Sequence, residues 1–185
     1  MSITINGTGS ITGLTAGGLP DGSITTDDIA ANAVTAAKLA AGAGGKILQV
    51  VQTAYTAADS TTATAPSSFT STGCTASITP SSSSNKVLVM LSMRTYKNPG
   101  SGEVAARIMR GSSAAFSGIS SDYYSTSGGI GGNINIQWLD TPSTTSSITY
   151  TAQFARYHVA TAQINLDFNG NNNGVTYLTL MEVAA

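Results

Sequence analysis

Charged side chains are scarce in this sequence. Lys, Arg, Asp and Glu together make up 9% of the 185 residues, against about 25% in a typical soluble domain. The net charge of -1 excludes the strong basic field that draws a protein to nucleic acid or to an anionic membrane. The longest apolar runs, such as Val87–Leu91, fall far short of the ~18 residues that cross a bilayer. We therefore expect no nucleic-acid partner and no membrane insertion.

Catalytic and metal-binding residue types are also rare. A single cysteine and a single histidine exclude an intramolecular disulfide and a cysteine-rich metal cluster. Hydroxyl side chains are abundant instead, since Ser and Thr account for about 50 residues. Another 20 residues are glycine. The mean hydropathy of +0.10 is too high for a disordered chain, which is typically polar and strongly charged. This composition favours a structural or binding protein without a cofactor.

The chain divides near residue 45. Residues 1–45 contain no aromatic residue, and they end in the small-residue stretch Ala41–Gly45, which is typical of a flexible joint. From Lys46 onward aromatic residues appear and side chains alternate with a period of two. We expect an N-terminal anchor or shaft over 1–45 and a C-terminal β-rich head over 46–185.

The N-terminal part is repetitive. Two ten-residue units, Ser23–Asn32 and Ala33–Gly42, share a pattern of small, aliphatic, Thr and charged positions. Aliphatic residues recur every five positions, at Leu14, Leu19, Ile24, Ile29, Val34 and Leu39. A step of five rotates about 140° beyond a full helical turn, and it reverses the face of a strand, so neither element gathers these side chains on one side. The spacing predicts that several identical chains wind together to bury them; a disordered low-complexity tail is the alternative.

The C-terminal part has the pattern of an all-β domain. Short apolar segments are separated by clusters of Gly, Pro, Asn or Ser, which favours a β-sandwich or jelly roll. The predicted strands are Ile47–Tyr55, Cys74–Ile78, Lys86–Tyr96, Val104–Arg110, Ala114–Ile119, Asn133–Leu139, Ser147–Val159, Ala162–Phe168 and Val175–Val183. Because both faces of Val175–Val183 are largely apolar, we expect that strand to be covered on both sides.

No motif predicts catalysis. The sequence has no G-x-S-x-G element, and His158 is interpreted as an ordinary strand histidine. Cys74 is interpreted as a small buried apolar group. The segment Asp167–Gly174 lacks the glycine and the acid that a calcium loop requires, so it is interpreted as a turn. No spacing singles out a catalytic pair among the candidate carboxylates Glu103, Asp122, Asp140 and Asp167.

Two polar loops with tyrosines are the candidate binding residues. Arg94–Gly102 contains Tyr96, and Ser120–Ser127 contains Asp122, Tyr123 and Tyr124. A tyrosine among Ser, Asn and Asp offers an apolar ring with hydrogen bonds at its edge, which suits sugars and protein epitopes alike. Ordinary loop packing, or packing against a neighbouring subunit, is the alternative.

Several stretches resemble bacteriophage fibre proteins. Gly22–Thr25 through Lys38–Ala40 is similar to the ten-residue units of fibre shafts. Blocks similar to those of β-rich fibre heads are Ile47–Thr53, Ile78–Val89, Leu139–Pro142 with Ser147–Tyr150, and Leu180–Val183. The resemblance implies a homotrimer in the virion, with a shaft that attaches to tail or capsid proteins and a head that faces outward.

The implied function is attachment to a host-surface glycan or envelope protein through the head loops. Three weak head sites would act together by avidity. Two alternatives stay open. The first is a head fibre or cement protein that decorates the capsid. The second is a small polysaccharide depolymerase, which would make the protein an enzyme.

Overall fold

The structure is a computed structural model that describes residues 24–31, 33–35, 38–39, 45–97, 102–116, 120–121, 130–158, 161–166 and 171–185. The chain divides into two units, Met1–Gly44 and Gly45–Ala185. In the first unit, Thr26–Asp28 form a single 3-10 turn. The carboxylate of Asp28 accepts hydrogen bonds from the backbone N–H and the hydroxyl of Thr25, both at 2.8 Å. The Asp28 carboxylate thereby satisfies the backbone N–H of Thr25 at the start of the turn.

The described residues of the second unit form eleven strands. They are β1 (Ile47–Tyr55), β2 (Asp59–Thr61), β3 (Thr70–Ile78), β4 (Lys86–Lys97), β5 (Glu103–Arg110), β6 (Ser113–Ala114), β7 (Ser120–Ser121), β8 (Ile130–Asp140), β9 (Ile148–Tyr157), β10 (Ala162–Ile164) and β11 (Thr176–Val183). The strands form two antiparallel sheets. We call β1-β11-β4-β8 with β2 and β10 the large sheet, and β3-β9-β5 with β6 and β7 the small sheet.

The strand order is that of a jelly roll. Along β4, β11 pairs with the first half and β10 with the last residues of the same edge, while β8 occupies the other edge. Likewise β6 and β7 share one edge of β5. Each sheet is therefore four strand positions wide. Three pairs of strands each share one position: β1 with β2, β6 with β7, and β10 with β11. When the resulting eight positions are numbered along the chain, their order across the sheet is 1-8-3-6 in the large sheet and 2-7-4-5 in the small one. The predicted all-β, jelly-roll-like β-sandwich is confirmed.

The core lies between the two sheets. Four residues of β4 (Val87, Val89, Leu91 and Met93) point inward and are buried, as the alternation predicts. They meet buried side chains of the small sheet, among them Ile108 and Phe154. Cys74 belongs to the same cluster, and burial raises the pKa of its thiol to about 11. The cysteine is therefore an inert core residue at neutral pH.

Two predicted strands are too long. Ser147–Val159 corresponds to β9, which ends at Tyr157 because His158 adopts a φ of +64°. Ala162–Phe168 corresponds to β10, which ends at Ile164 because Asn165 has a φ of +60°. The buried Asn165 amide donates to the carbonyl oxygens of Tyr55 and Ala57 and accepts from the Thr176 hydroxyl. These tertiary hydrogen bonds stabilise the left-handed conformation at which β10 stops.

Other predictions about strands also need correction. In the described part of the predicted strand Ala114–Ile119, only Ala114 lies in a strand, as the last residue of β6; residues 117–119 lie outside the described residues. The short strand β2 was not predicted. The outer face of β11 is only partly covered, since Tyr177 is 42% exposed; the expectation that both faces are covered is therefore wrong. Among the described residues, no helix is long and apolar enough to cross a membrane.

Candidate functional site

The first candidate surface is the aliphatic series of the N-terminal unit. Four of its six residues lie in the described part of the chain: Ile24, Ile29, Val34 and Leu39. All four are exposed, with between 39% and 53% of their surface accessible. Leu14 and Leu19 lie outside the described residues. Burying one such side chain fully stabilises a structure by roughly 1.5–3 kcal/mol. Contact with another chain that covered this series would therefore be favourable.

The predicted binding residues of the head fall in two different places. Tyr96 belongs to β4 and not to a loop, because β8 and β10 pair with the strand as far as Lys97. Its cross-strand neighbours are Gly131 and Gln163. The side chain is half-buried on the outer face of the large sheet. Asp122, Tyr123 and Tyr124 lie outside the described residues.

The outer face of the large sheet carries a row of apolar side chains. Register places Val50 beside Met181, Met181 beside Leu88, and Leu88 beside Leu139. We call these four residues the apolar row. Val50 at one end is 56% exposed and Leu139 at the other is 46% exposed. A row that crosses four strands is a continuous apolar strip and not a scatter of single exposed residues.

A shallow groove lies beside the apolar row. One of its rows runs Gln52–Thr179–Met90–Gln137, and the next runs Ala54–Tyr177–Ser92–Asn135. The side chains of these two rows, except Ala54, line a depression of about 280 Å³. We call it the sheet groove. Ala54 and Ser92, the neighbours of Tyr177 on either side, are both small, and the tyrosine is 42% exposed.

The sheet groove is polar but uncharged. Gln52 donates its amide to the Thr179 hydroxyl at 2.8 Å. Within the described part of the chain, no protein group hydrogen-bonds the side-chain amides of Asn135 and Gln137. The lining includes no Asp, Glu, Lys or Arg. These amides are therefore free to donate and accept hydrogen bonds to a ligand at the sheet surface.

Sequence reasoning missed the sheet groove although part of its signal was visible. Asn133, Asn135 and Gln137 alternate with Ile134, Ile136 and Trp138 inside the predicted strand Asn133–Leu139. This alternation predicts a polar outer face for β8. The opposing Tyr177 and Gln52 lie far away in the chain, so only the register of the sheet shows that they share the same surface.

The candidate carboxylate Asp140 forms an ion pair with Arg110 and accepts a hydrogen bond from Tyr150. Arg110 donates from Nη1 to both oxygens, at 2.8 and 2.9 Å, and the hydroxyl of Tyr150 donates to Oδ2 at 2.6 Å. Burial, together with the hydrogen bond to Asp140, raises the pKa of Tyr150 well above its usual value. This cluster joins β8 to β5 and β9, across the two sheets.

Glu182 is a second buried carboxylate with structural partners. Its oxygens accept hydrogen bonds from Gln49 Nε2, from the backbone and hydroxyl of Ser81, and from Asn85 Nδ2, at 2.6 to 2.8 Å. Burial alone would raise the pKa of Glu182, but these hydrogen bonds outweigh it and lower the pKa to about 2. The carboxylate therefore stays ionised without a cation and fixes β11 to β1 and to the turn before β4.

The remaining chemical candidates lie apart from one another. His158 is exposed and packs edge-on against Tyr157, with ring centroids 4.3 Å apart. Glu103 begins β5, and Asp167 lies outside the described residues. Among the described residues, no cluster of three or more His, Cys, Asp or Glu side chains could hold a metal ion. The described structure thus brings no candidate catalytic residues together.

No family model matches the chain, and no curated protein matches it. Two solved structures from infectious bursal disease virus are similar to part of this chain. The VP2 subviral particle aligns at 12% identity and a TM-score of 0.42, covering 74% of this chain. The Gx strain structure aligns at 15% identity and a TM-score of 0.40, covering 76%.

The chain spans well under half the length of these viral proteins, 37% of the first and 40% of the second. At such identities and TM-scores, neither similarity establishes a family or a role for this chain.

Proposed function

We propose that this chain is a structural protein of a phage virion: a short, homotrimeric fibre that attaches to the particle through residues 1–45 and to the host surface through its jelly-roll head. The observation that carries the proposal is the exposed aliphatic series of the first unit. Ile24, Ile29, Val34 and Leu39 recur every five residues and are all exposed. The resemblance of the flanking sequence to fibre-shaft units supports the same interpretation.

Several identical chains wound together would bury this series against one another. The residues between Ile24 and Leu39 other than the aliphatic positions are mostly Ala, Thr and Asp, and the small ones among them allow chains to approach closely. A monomer of this segment leaves its apolar side chains in water, whereas wound chains cover them from several sides. The trimer follows from the resemblance, and the exposed series supplies the driving force for association.

We propose a binding role for the head and no catalysis. Asp140 and Glu182, which are the buried carboxylates of the described residues, are both held by structural hydrogen bonds. A binding head without chemistry gains strength from multiplicity, because linked copies raise the effective concentration of each site. This is the arrangement expected of a fibre that adheres to a cell surface.

The central experiment measures the mass of the full-length protein by light scattering at micromolar concentration. We expect three chains. The double variant Ile29→Asp/Val34→Asp places charges in the proposed interface and should yield monomers with an intact head. The matched control Ala30→Asp/Thr35→Asp adds the same two charges at the neighbouring exposed positions and should remain trimeric. A wild-type protein that is a stable monomer would contradict the shaft.

Two further measurements separate the alternatives. Labelled protein on intact particles distinguishes a tail position from a capsid position, which tests the head-fibre or cement alternative. Incubation with host polysaccharide tests the depolymerase alternative, since release of reducing ends would show that the protein is an enzyme.

A further inference from the structure

The sheet groove presents a set of hydrogen-bonding groups that the fold leaves open. Neither Asn135 nor Gln137 has a side-chain hydrogen bond within the described residues. Thr179 accepts from Gln52 but keeps its own hydroxyl hydrogen. Amides and hydroxyls that both donate and accept are matched by the hydroxyl groups of a sugar, which also do both.

An apolar platform lies among these polar groups. Tyr177 is 42% exposed, and its ring is flanked across the strands by Ala54 and Ser92. The half-buried Met90 lies next to it in the adjacent row. A tyrosine ring offers an apolar face with a polar edge, which suits the C–H face of a pyranose ring.

The dimensions and the charge narrow the class of ligand. Two rows across four strands cover about 14 by 7 Å, given strand spacings near 4.8 Å and a two-residue repeat near 6.8 Å. This is the scale of a short oligosaccharide. Because no charged side chain lines the depression, nothing in it favours an acidic sugar over a neutral one.

A second copy of the chain fits the sheet groove less well. Burying an amide against protein costs free energy unless the amide finds a hydrogen-bond partner there. A second sheet face supplies such partners only where its own donors and acceptors happen to lie opposite Asn135 and Gln137. The apolar row beside the groove is the part of this face that suits a protein contact. The two surfaces can therefore be tested separately.

We propose that the sheet groove binds a neutral oligosaccharide, with Tyr177 as the stacking platform and Asn135 and Gln137 as the hydrogen-bonding residues. The inference rests on the proposed function, because it assigns the host-surface contact to the outer face of the large sheet. It differs from the loop site expected from the sequence at Tyr123 and Tyr124.

The test uses the full-length protein and a panel of oligosaccharides of glucose, galactose, mannose and N-acetylhexosamine, with carboxylated and sulfated oligosaccharides beside them. Saturation-transfer NMR detects binding and calorimetry measures Kd. We expect a neutral member to bind. The double variant Asn135→Ala/Gln137→Ala and the single variant Tyr177→Ser should each raise its Kd at least tenfold, with unchanged circular dichroism. The matched control Leu139→Ser, on the same face but in the apolar row, should bind as the wild type does.

Three results would overturn the proposal. The first is that no neutral member of the panel binds. The second is that both groove variants fold and bind as the wild type does. The third is that the groove variants and Leu139→Ser alike change the mass in light scattering, which would make this face a contact between copies.

A parallel assay keeps the two proposals apart. Association of the protein with purified particles, followed by antibody, tests the fibre role without any sugar. If the groove variants still associate with particles but adhere to cells as the wild type does, the fibre role stands and the groove proposal fails. If the protein binds sugar but never occurs on particles, the fibre role fails and the groove remains.

Discussion

The outer faces of the two sheets differ in how far their side chains hydrogen-bond to one another. On the small sheet, polar side chains bond to one another: Ser77 to Thr149 at 2.8 Å, and Gln153 to Ser71 at 2.8 Å. Arg107 adds a bond to Gln153 at 2.7 Å and lies 4.2 Å from the ring centre of Phe69. We call this the hydroxyl face. On the large sheet, the ends of the apolar row are exposed, and the amides of Asn135 and Gln137 in the sheet groove have no hydrogen-bond partner among the described residues.

The difference shows that strand alternation alone does not define a binding surface. On both sheets every second side chain points outward, as the pleat requires. On the hydroxyl face the register brings donors opposite acceptors, so the side chains satisfy each other. On the large sheet it brings Gln137 beside Met90 and Asn135 beside Ser92, without forming hydrogen bonds among the described residues. The second face is thus the one whose amides keep their hydrogen-bonding capacity for solvent or for the proposed ligand.

The largest expected effect comes from the buried carboxylate that fixes the large sheet in place. Glu182→Gln removes the charged acceptor of Gln49, Ser81 and Asn85. We expect the free energy of unfolding at pH 7 to fall by on the order of 3 kcal/mol. Urea denaturation measures it, and Glu103→Gln, whose carboxylate accepts none of these bonds, is the control.

The same residue predicts a pH dependence. The folded state holds the pKa of Glu182 at about 2, below the value of about 4.3 in an unfolded chain. The unfolded state therefore takes up the proton first. The stabilisation is complete above about pH 4.5 and is lost as the pH falls towards 2. Urea titrations at pH 7 and pH 3 should show this loss in the wild type and a smaller loss in Glu182→Gln; equal losses would contradict the assignment.

A matched pair of glutamines compares the two faces directly. Gln153→Ala on the hydroxyl face breaks hydrogen bonds to Ser71 and Arg107, and we expect a loss of about 1 kcal/mol. Gln137→Ala in the sheet groove removes no protein hydrogen bond in the described structure, and we expect a change below about 0.5 kcal/mol. The measurement is urea denaturation of both variants. Equal losses would show that the two faces do not differ as described.

The smallest expected effect concerns the apolar row. Val50→Thr should change the free energy of unfolding by less than about 0.5 kcal/mol, because the side chain already meets water. Val89→Thr, the same change on the inner face of β4, should cost about 1–3 kcal/mol because it buries a hydroxyl. Retention on a hydrophobic column should fall for Val50→Thr. A large loss of stability in Val50→Thr would mean that the row is covered within the chain.

The sequence was informative where alternation is strong. Lys86–Tyr96 was predicted because Val87, Val89, Leu91 and Met93 repeat every second residue, and β4 follows that prediction with one residue added. The polar β2 has no such pattern and was missed. The ends of β9 and β10 could not be predicted, because each is followed by a non-glycine residue with a positive φ, His158 and Asn165, and the conformation of Asn165 depends on hydrogen bonds to distant segments.

The functional surface was harder to predict than the fold. Tyr96 was placed both at the end of the predicted strand Lys86–Tyr96 and in the polar loop Arg94–Gly102, whereas pairing on both sides extends β4 beyond the tyrosine to Lys97. The sheet groove combines residues of β1, β4, β8 and β11, which together span more than a hundred positions of the chain. Local patterns identify each strand but not the register that brings the four together.

The burial of Cys74 makes this protein convenient for site-specific labelling. It is the chain's one thiol, it lies in the core, and its raised pKa keeps it protonated at neutral pH. A variant such as Gln137→Cys would therefore react with a maleimide dye at a single place under native conditions. An environment-sensitive fluorophore attached there would report occupancy of the sheet groove in real time, on the isolated protein or on a living cell.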